Sequence, residues 1–424
     1  MEQQSREVGV DHSQAPAPLL AMFGDAAFLA CSWTWCIGMF LPMMLMRDMG
    51  IASFAVFAIP NCLGAAALAW WMRSKSASYG FVQTHLHAMR TFSLVTIAFQ
   101  WFFFAWAAAG LGLSVSGLIM LAGLLAPLLM FPSFLSDDGR RRAFSIATWV
   151  ASVALLTYFV VTSGAVEKLQ TLPTPMRNPE HVWPLLSVCV LGFVCSPLLD
   201  GTFHTIKQRS ESDQARPEFA LGFLVLFAMM IGGTLLYGAW LIVDNTKNGT
   251  TDFRYLAPIN LPLMVLLHIA LQLGFTIAAH ERWNRGQRGS HTGFGASVPI
   301  VGAIVGMVLG AFGPALVGAL NIDTVALAML PNELVYRCFM AFYGLLVPLY
   351  VLGCCLAFGP FSPATTGPSL ARIAALVATA SIATPFYYRG FILRETQWLW
   401  YGVAIAVVGG VIARLLPGPK NARA

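Results

Sequence analysis

Apolar runs of about 20 residues, each long enough as a helix to cross ~30 Å of hydrocarbon, follow one another along almost the whole of this 424-residue chain. Short polar loops separate them. The pattern predicts twelve helices, over 19–46, 51–72, 88–112, 114–132, 143–163, 182–204, 218–243, 257–280, 297–319, 333–358, 369–388 and 397–415. The expected fold class is an all-α polytopic membrane protein with about 12 transmembrane helices. Ionisable residues inside such runs are costly, so the exceptions to the pattern carry most of its information.

Two runs interrupt themselves. In "LGFVCSPLLDGTFHTIKQRSESDQAR", Leu191 to Arg216, an apolar helix meets Pro197, Asp200, Gly201 and His204 and then ends in charge. Pro197 removes a ladder donor and Gly201 weakens the next turn, so unwinding between them is expected. "FGDAAFLACSWTWCIGMF", Phe23 to Phe40, is the other irregular run, and the missing hydrogen bonds there are expected near Trp35 to Gly38. Each lies in the first helix of a set of five, 17–163 and 182–358, and the two sets start on opposite sides of the membrane. That is the arithmetic of an inverted repeat, in which broken first helices expose backbone groups near the midplane for substrate and ion. A tail over 1–16, two additional helices over 369–415 and a tail over 416–424 complete the organisation.

Composition agrees with the pattern. The chain is 57% hydrophobic and 10% charged, against roughly 25% charged in soluble domains. With both termini placed in the cytoplasm, inner segments hold 17 of the 25 Lys and Arg and outer segments 8, as the positive-inside rule requires. The net charge of +6 therefore sets topology, and no nucleic-acid partner is implied. The start "MEQQSREVGVDHSQAP" lacks the architecture of a signal peptide and reads as a cytoplasmic tail. All 8 cysteines fall in apolar segments, where free Cys acts as a small hydrophobe. There is no phosphate-binding glycine loop, no metal cluster and no nucleophile with its base, so an enzyme is not expected and an ion gradient is the expected source of energy.

His268, Gln272, Thr276 and His280 recur every four residues, a polar stripe in a span otherwise made of apolar residues. It is either an interhelical hydrogen-bonding face or the lining of a proton or substrate path, in which His268 would meet water. Asp25 shares a face with Ser32, as a proton-linked carboxylate or as a group snorkelling to the cytoplasmic boundary. Gln100 is placed to reach a central cavity. Glu333 and Arg337 are spaced to pair near the outer interface, as a gate or as a solvated helix start. Gly302, Gly306 and Gly310, at four-residue spacing, let another backbone approach.

"GFVCSPLLDGTFHTIKQRSESDQAR", "CSWTWCIGMFLPMMLMRDMGIASFAVFAIPNCLGAAALAWWM" and "HAMRTFSLVTIAFQWFFFAWAAAGLG" resemble the sixth, the first two and the third core helices of the sodium/solute symporter family. The likeness covers roughly residues 20 to 240. It implies a LeuT-like core of ten helices in a 5+5 inverted repeat, with helices one and six broken, and two C-terminal helices. The family's eighth helix offers adjacent Ser and Thr hydroxyls to sodium; here Thr276 stands alone. Together these readings predict a secondary transporter in a bacterial inner membrane, carrying a small polar solute with sodium or protons by alternating access. The expected solute-binding residues are Ser32, Thr34, Gln100, Ser196, Asp200 and Gln272. Asp25, Trp35, Gly38, His268 and Thr276 are expected to couple the ion, and Glu333 and Arg337 to gate. No cofactor is expected other than sodium as coupling ion. The alternative is a non-transporting membrane subunit or sensor that keeps the transporter fold.

Overall fold

The computed structural model describes residues 18–109, 134–210, 214–247, 254–287, 294–356 and 368–418. Its helices are α1 (Pro18–Trp33), α2 (Cys36–Met49), α3 (Ala52–Trp71), α4 (Lys75–Ala109), α5 (Asp138–Ser163), α6 (Trp183–Leu199), α7 (Gly201–Arg209), α8 (Arg216–Asp244), α9 (Leu263–Gly286), α10 (Ser297–Ala319), α11 (Pro331–Cys355), α12 (Leu370–Ile392) and α13 (Trp398–Leu415). Among the described residues ten helices are long and apolar enough to span a membrane, and the bent pair α1 and α2 makes an eleventh. The protein is an integral membrane protein, and its described core is built of helices. The predicted span 114–132 and the tail 1–16 lie outside the described residues, as does most of the tail 416–424.

Both expected breaks are present, and each is narrower than the sequence suggests. α1 stops at Trp33, α2 starts at Cys36, and the two diverge by 55°. Trp35 between them is extended (φ −88°, ψ 169°). α6 stops at Leu199, Asp200 is extended (φ −81°, ψ 108°), and α7 starts at Gly201. Asp200 is the N-cap of the second half: its Oδ1 accepts the Thr202 N–H at 2.8 Å, which is why the chain turns helical again at once. Gly201 has no room for a side chain, because a Cβ there would overlap the ring of Trp283.

Two prolines leave carbonyls to be satisfied from outside. Pro42 cannot donate to Gly38, and the Thr234 hydroxyl of α8 donates to the Gly38 carbonyl instead, at 3.1 Å. Tyr237 and Tyr336 donate to the neighbouring carbonyls of Met39 (2.8 Å) and Cys36 (2.7 Å). Pro197 likewise frees the Phe193 carbonyl, and Gly64 of α3 lies so close that a Cβ would sit 2.6 Å from that oxygen. Every residue of α2 is buried, including Met39, Met43, Met44, Met46 and Met49.

The glycine stripe of α10 packs on α4. A Cβ at Gly302 would lie 2.9 Å from Ile97, one at Gly310 would lie 2.7 Å from the Phe102 carbonyl, and one at Gly306 would overlap the Ala98 carbonyl. The opposite face of α10, with Ile300, Ile304, Val308 and Phe312, is exposed, as a lipid-facing surface should be. α4 opens at Lys75, where the Ser74 hydroxyl accepts the Ala77 N–H at 3.1 Å, and is interrupted by a kink at His85 (φ −111°, ψ 17°), so its second segment starts close to the span expected from residue 88.

Candidate functional site

The two breaks face one another at the centre of the bundle, with α4, α5, α8, α9 and α11 around them. Ser32, the penultimate residue of its half-helix, has its Oγ 3.3 Å from the Thr202 hydroxyl, just past the second break. Thr202 donates both its N–H (2.8 Å) and its hydroxyl (2.7 Å) to Asp200 Oδ1. Gln100 reaches in from α4 and accepts the Cys36 N–H, the first orphan donor of α2, at 3.3 Å. Its own Nε2 has no partner. Thr34 and Trp35 bond back to α1, through the Thr34 hydroxyl to Ala30 O (2.8 Å) and Trp35 Nε1 to Ser32 O (2.6 Å).

The stripe on α9 faces protein along its whole length, and its four residues have different surroundings. Gln272 donates to Ser152 of α5 at 2.6 Å and lies 3.8 Å from Cys31 Sγ. Thr276 donates to the Cys31 carbonyl at 3.3 Å, beside that of Ser32 at 3.5 Å. The Thr276 hydroxyl and the Cys31 carbonyl are thus bonded to each other. His280 Nδ1 is hydrogen-bonded to Ser93 of α4 at 3.0 Å, and its Nε2 lies 3.9 Å from Asp200 Oδ2. His268 is buried with Nδ1 unpartnered and lines neither of the two cavities that flank the breaks.

One of these cavities, about 220 Å³, is walled by Trp33, Trp35, Gly38, Cys189, Tyr343 and Phe391 among other mostly apolar residues. Ser196 lines it with a hydroxyl that has no partner. The other, about 610 Å³, is lined by polar groups including Gln83, Arg141, Gln208, Arg209 and Arg282. It lies at the arginine-rich end of the bundle. Trp283 lines it and packs against Gly201 beside the second break.

The opposite end is closed by charge. Glu333 takes two bonds from Arg47 (2.6 and 2.8 Å) and further bonds from Arg337 (2.9 and 3.0 Å). Asp48 accepts hydrogen bonds from Arg47 (2.9 Å) and Arg337 (2.5 Å) and is ion-paired with Arg394 at 3.1 Å. All these side chains are no more than 3% exposed. The pair Glu333 and Arg337 is therefore no solvated helix start: the helix opens inside a buried network, because α2 and the 393–397 loop bring three more charges to it. Asp25 does not snorkel to solvent. It is buried in ion pairs with Arg141 and Arg142, each at 3.0 Å, and lies apart from the groups around Ser32.

Of the residues that the sequence singles out, the structure gathers Ser32, Thr34, Trp35, Gln100, Asp200, Gln272 and Thr276 around the breaks and places Gly38 and Ser196 on the apolar cavity. Arg337 also lines that cavity, on the side of the charged network, while Asp25, His268 and Glu333 stand elsewhere. His280, Ser93 and Thr202 join the site without being expected there. His280 is visible in the sequence as the last member of the stripe; Ser93 and Thr202 are short hydroxyls with no distinguishing pattern. Arg47, Asp48 and Arg394 read as loop charges until the fold brings them together.

No family model matches the chain, and no curated protein matches it. Among solved structures it is similar to a Na⁺-coupled sialic acid symporter in a substrate-bound outward-open state, at 12% identity and TM-score 0.50 over 94% of this chain and 91% of that one. Similarities at lower TM-score are to a manganese transporter of Eremococcus coleocola (13% identity, 97% and 98% covered, TM-score 0.47) and to Mhp1, a nucleobase-cation-symport-1 family transporter (12% identity, 92% and 91% covered, TM-score 0.47). The likeness to the sialic acid symporter shows a shared fold.

Proposed function

We propose that this chain is a secondary active transporter of the sodium/solute symporter type, coupling the movement of a small polar solute to sodium or protons. The observation that carries this reading is the pair of facing helix breaks, ringed by polar groups from α4, α5 and α9. Polar side chains are costly within a membrane unless they bond to one another or line a path, and here they converge on the two breaks. Ser32, Thr34, Gln100, Ser196, Asp200 and Gln272 are the proposed solute contacts. The Arg47–Asp48–Glu333–Arg337–Arg394 network is the proposed gate at one end, with the polar cavity as the open path at the other, so that alternating access rocks α2 against α11. The arginine-rich end faces the cytoplasm in this reading, with both termini on that side of a bacterial inner membrane. The experiment is uptake into vesicles holding the purified protein, for a panel of small polar solutes under imposed sodium or pH gradients. Gradient-driven uptake lost in Asp200→Asn is expected.

The alternative is a non-transporting subunit or sensor of the same fold. The bond between Thr276 and the Cys31 carbonyl favours it, because a hard cation needs several free oxygens and these two are engaged with each other. No uptake, and no shift in melting temperature with any cation or solute, is the outcome that would select it.

A further inference from the structure

Asp200 Oδ2 and His280 Nε2 both lack a hydrogen-bond partner, both side chains are 0% exposed, and the two atoms face each other across 3.9 Å. Each group is fixed from behind. Oδ1 of Asp200 holds the N–H and hydroxyl of Thr202, and Nδ1 of His280 is bonded to Ser93. A buried polar atom without a partner is costly, and here two complementary ones stop about 1 Å short of bonding. We propose that Asp200 and His280 form a proton-binding pair that joins the second helix break to α9. Its role as the coupling site rests on the transport function proposed for the chain.

The geometry favours a proton over a metal ion. One carboxylate oxygen faces one imidazole nitrogen, and among the described residues no group of three or more His, Cys, Asp or Glu could hold a metal. When His280 Nε2 takes up a proton, the new N–H donates to Asp200 Oδ2 and the pair becomes a neutral ion pair; when it leaves, one buried negative charge remains on Asp200. Closing the gap to the ~2.8 Å of a charge-assisted bond draws α9 toward the residue at which α6 gives way to α7. Protons reach the pair from the polar cavity past Trp283, which touches Gly201 on one side and lines that cavity on the other.

Other titratable and charged groups around the pair are engaged elsewhere. On α7, His204 is bonded to Ser78 (2.8 Å) and the Leu198 carbonyl (3.1 Å), and Lys207 to the Gln214 carbonyl (2.6 Å). From α11, Tyr343 is bonded to Thr96 at 3.0 Å. On α1 and α2, Cys31 and Cys36 lie 3.9 Å from the carbonyls of Ser145 and Phe99, and Asp25 is held by Arg141 and Arg142. On α4, His85 is bonded to Tyr350 at 3.1 Å, and the guanidinium of Arg90 lies against Gly295. On α9, Glu281 pairs with Arg285, and Arg282 donates to the Ser136 carbonyl at 3.1 Å.

The neighbouring Trp35, whose ring centroid lies 6.0 Å from that of His280, supplies a readout that needs no transport. A protonated imidazole quenches indole emission. The difference in fluorescence between the native chain and Trp35→Phe, measured from pH 4.5 to 9 in detergent, should show one transition. It should vanish in His280→Gln and move to lower pH by about one unit or more in Asp200→Asn, because the carboxylate favours the charged imidazole. Asp200→Glu, which keeps the charge, should retain the transition and serves if Asp200→Asn does not fold. A flat difference signal, or a transition unchanged in His280→Gln, overturns the proposal. Uptake driven by a pH gradient without the fluorescence transition overturns the pair alone; the transition without uptake of any solute overturns the transport reading alone.

Discussion

Glu333 sits where a single substitution should separate stability from gating. Its carboxylate accepts from Arg47 and Arg337 and lies 3.7 Å from Arg394, while Asp48 is the second acid of the network. Three guanidiniums and two carboxylates leave a net charge of +1 in a space that water does not enter. Glu333→Gln raises that to +2. It also replaces charge-assisted bonds, at ~1.5–3 kcal/mol each, with weaker ones. Removing one partner from a buried charge cluster costs about 3–5 kcal/mol. The penalty falls on the conformation in which α2 and α11 are tied together, so most of it should appear as opening at the Arg47 end. At ~1.4 kcal/mol per tenfold, that end should open at least about a hundredfold more often. Cys36 lies buried at the first break and is the reporter. In a chain retaining Cys36 as its sole cysteine, alkylation by a polar maleimide should accelerate by about two orders of magnitude in Glu333→Gln. The melting temperature should fall by only a few degrees. An alkylation rate within twofold of the parent, with melting unchanged, would refute the reasoning and reduce the network to an inert staple.

Thr234→Val leaves the carbonyl freed by Pro42 without a donor and should cost about 1–3 kcal/mol, measured by chemical denaturation; a neutral result would mean that water replaces the hydroxyl. Gly201→Ala forces Trp283 to move and should destabilise by about 1–3 kcal/mol while altering Trp emission, and an unchanged spectrum would contradict the contact. Gly306→Leu, against the α4 backbone, should abolish folding, whereas Ile304→Leu on the exposed face should be neutral; equal expression of both variants would deny the packing. For topology, a cysteine at position 140 should be shielded from an impermeant reagent added outside cells and one at position 247 labelled, and the reverse would invert the chain.

Hydrophobic length alone fixes eleven of the predicted spans, because the bilayer imposes one requirement on every crossing helix. The second break is legible for a related reason: Pro197 next to Asp200 and Gly201 has no cheap helical solution, and the chain unwinds at Asp200, where a carboxylate can cap α7. The extended residue at Trp35 is harder to place, since "SWTWC" contains neither proline nor glycine. What sets it is tertiary, namely Gln100 waiting for the Cys36 N–H. The partner of His280 is not readable either, because a stripe on one helix says nothing of which carboxylate comes to face it. Charge counting assigns Arg47 and Asp48 to a loop, yet they are fully packed. Positive-inside arithmetic registers where a charge falls in the sequence and is blind to how deep it ends up.

The methionines of α2 have a mechanical meaning. Met39, Met43, Met44, Met46 and Met49 are all buried, and an unbranched thioether can change rotamer to fill whatever gap its neighbours leave. A half-helix dressed in such side chains is greased: a small shift can be met by a change of rotamer rather than a void. The contact of α10 with α4 is the opposite kind of joint. There Gly302, Gly306 and Gly310 lie against the α4 backbone and against the β-carbons of Ile97, Trp101 and Ala105, which have little room to readjust, so the two helices are keyed together. The bundle thus carries its bearing and its keel in the choice of methionine in one place and glycine in another.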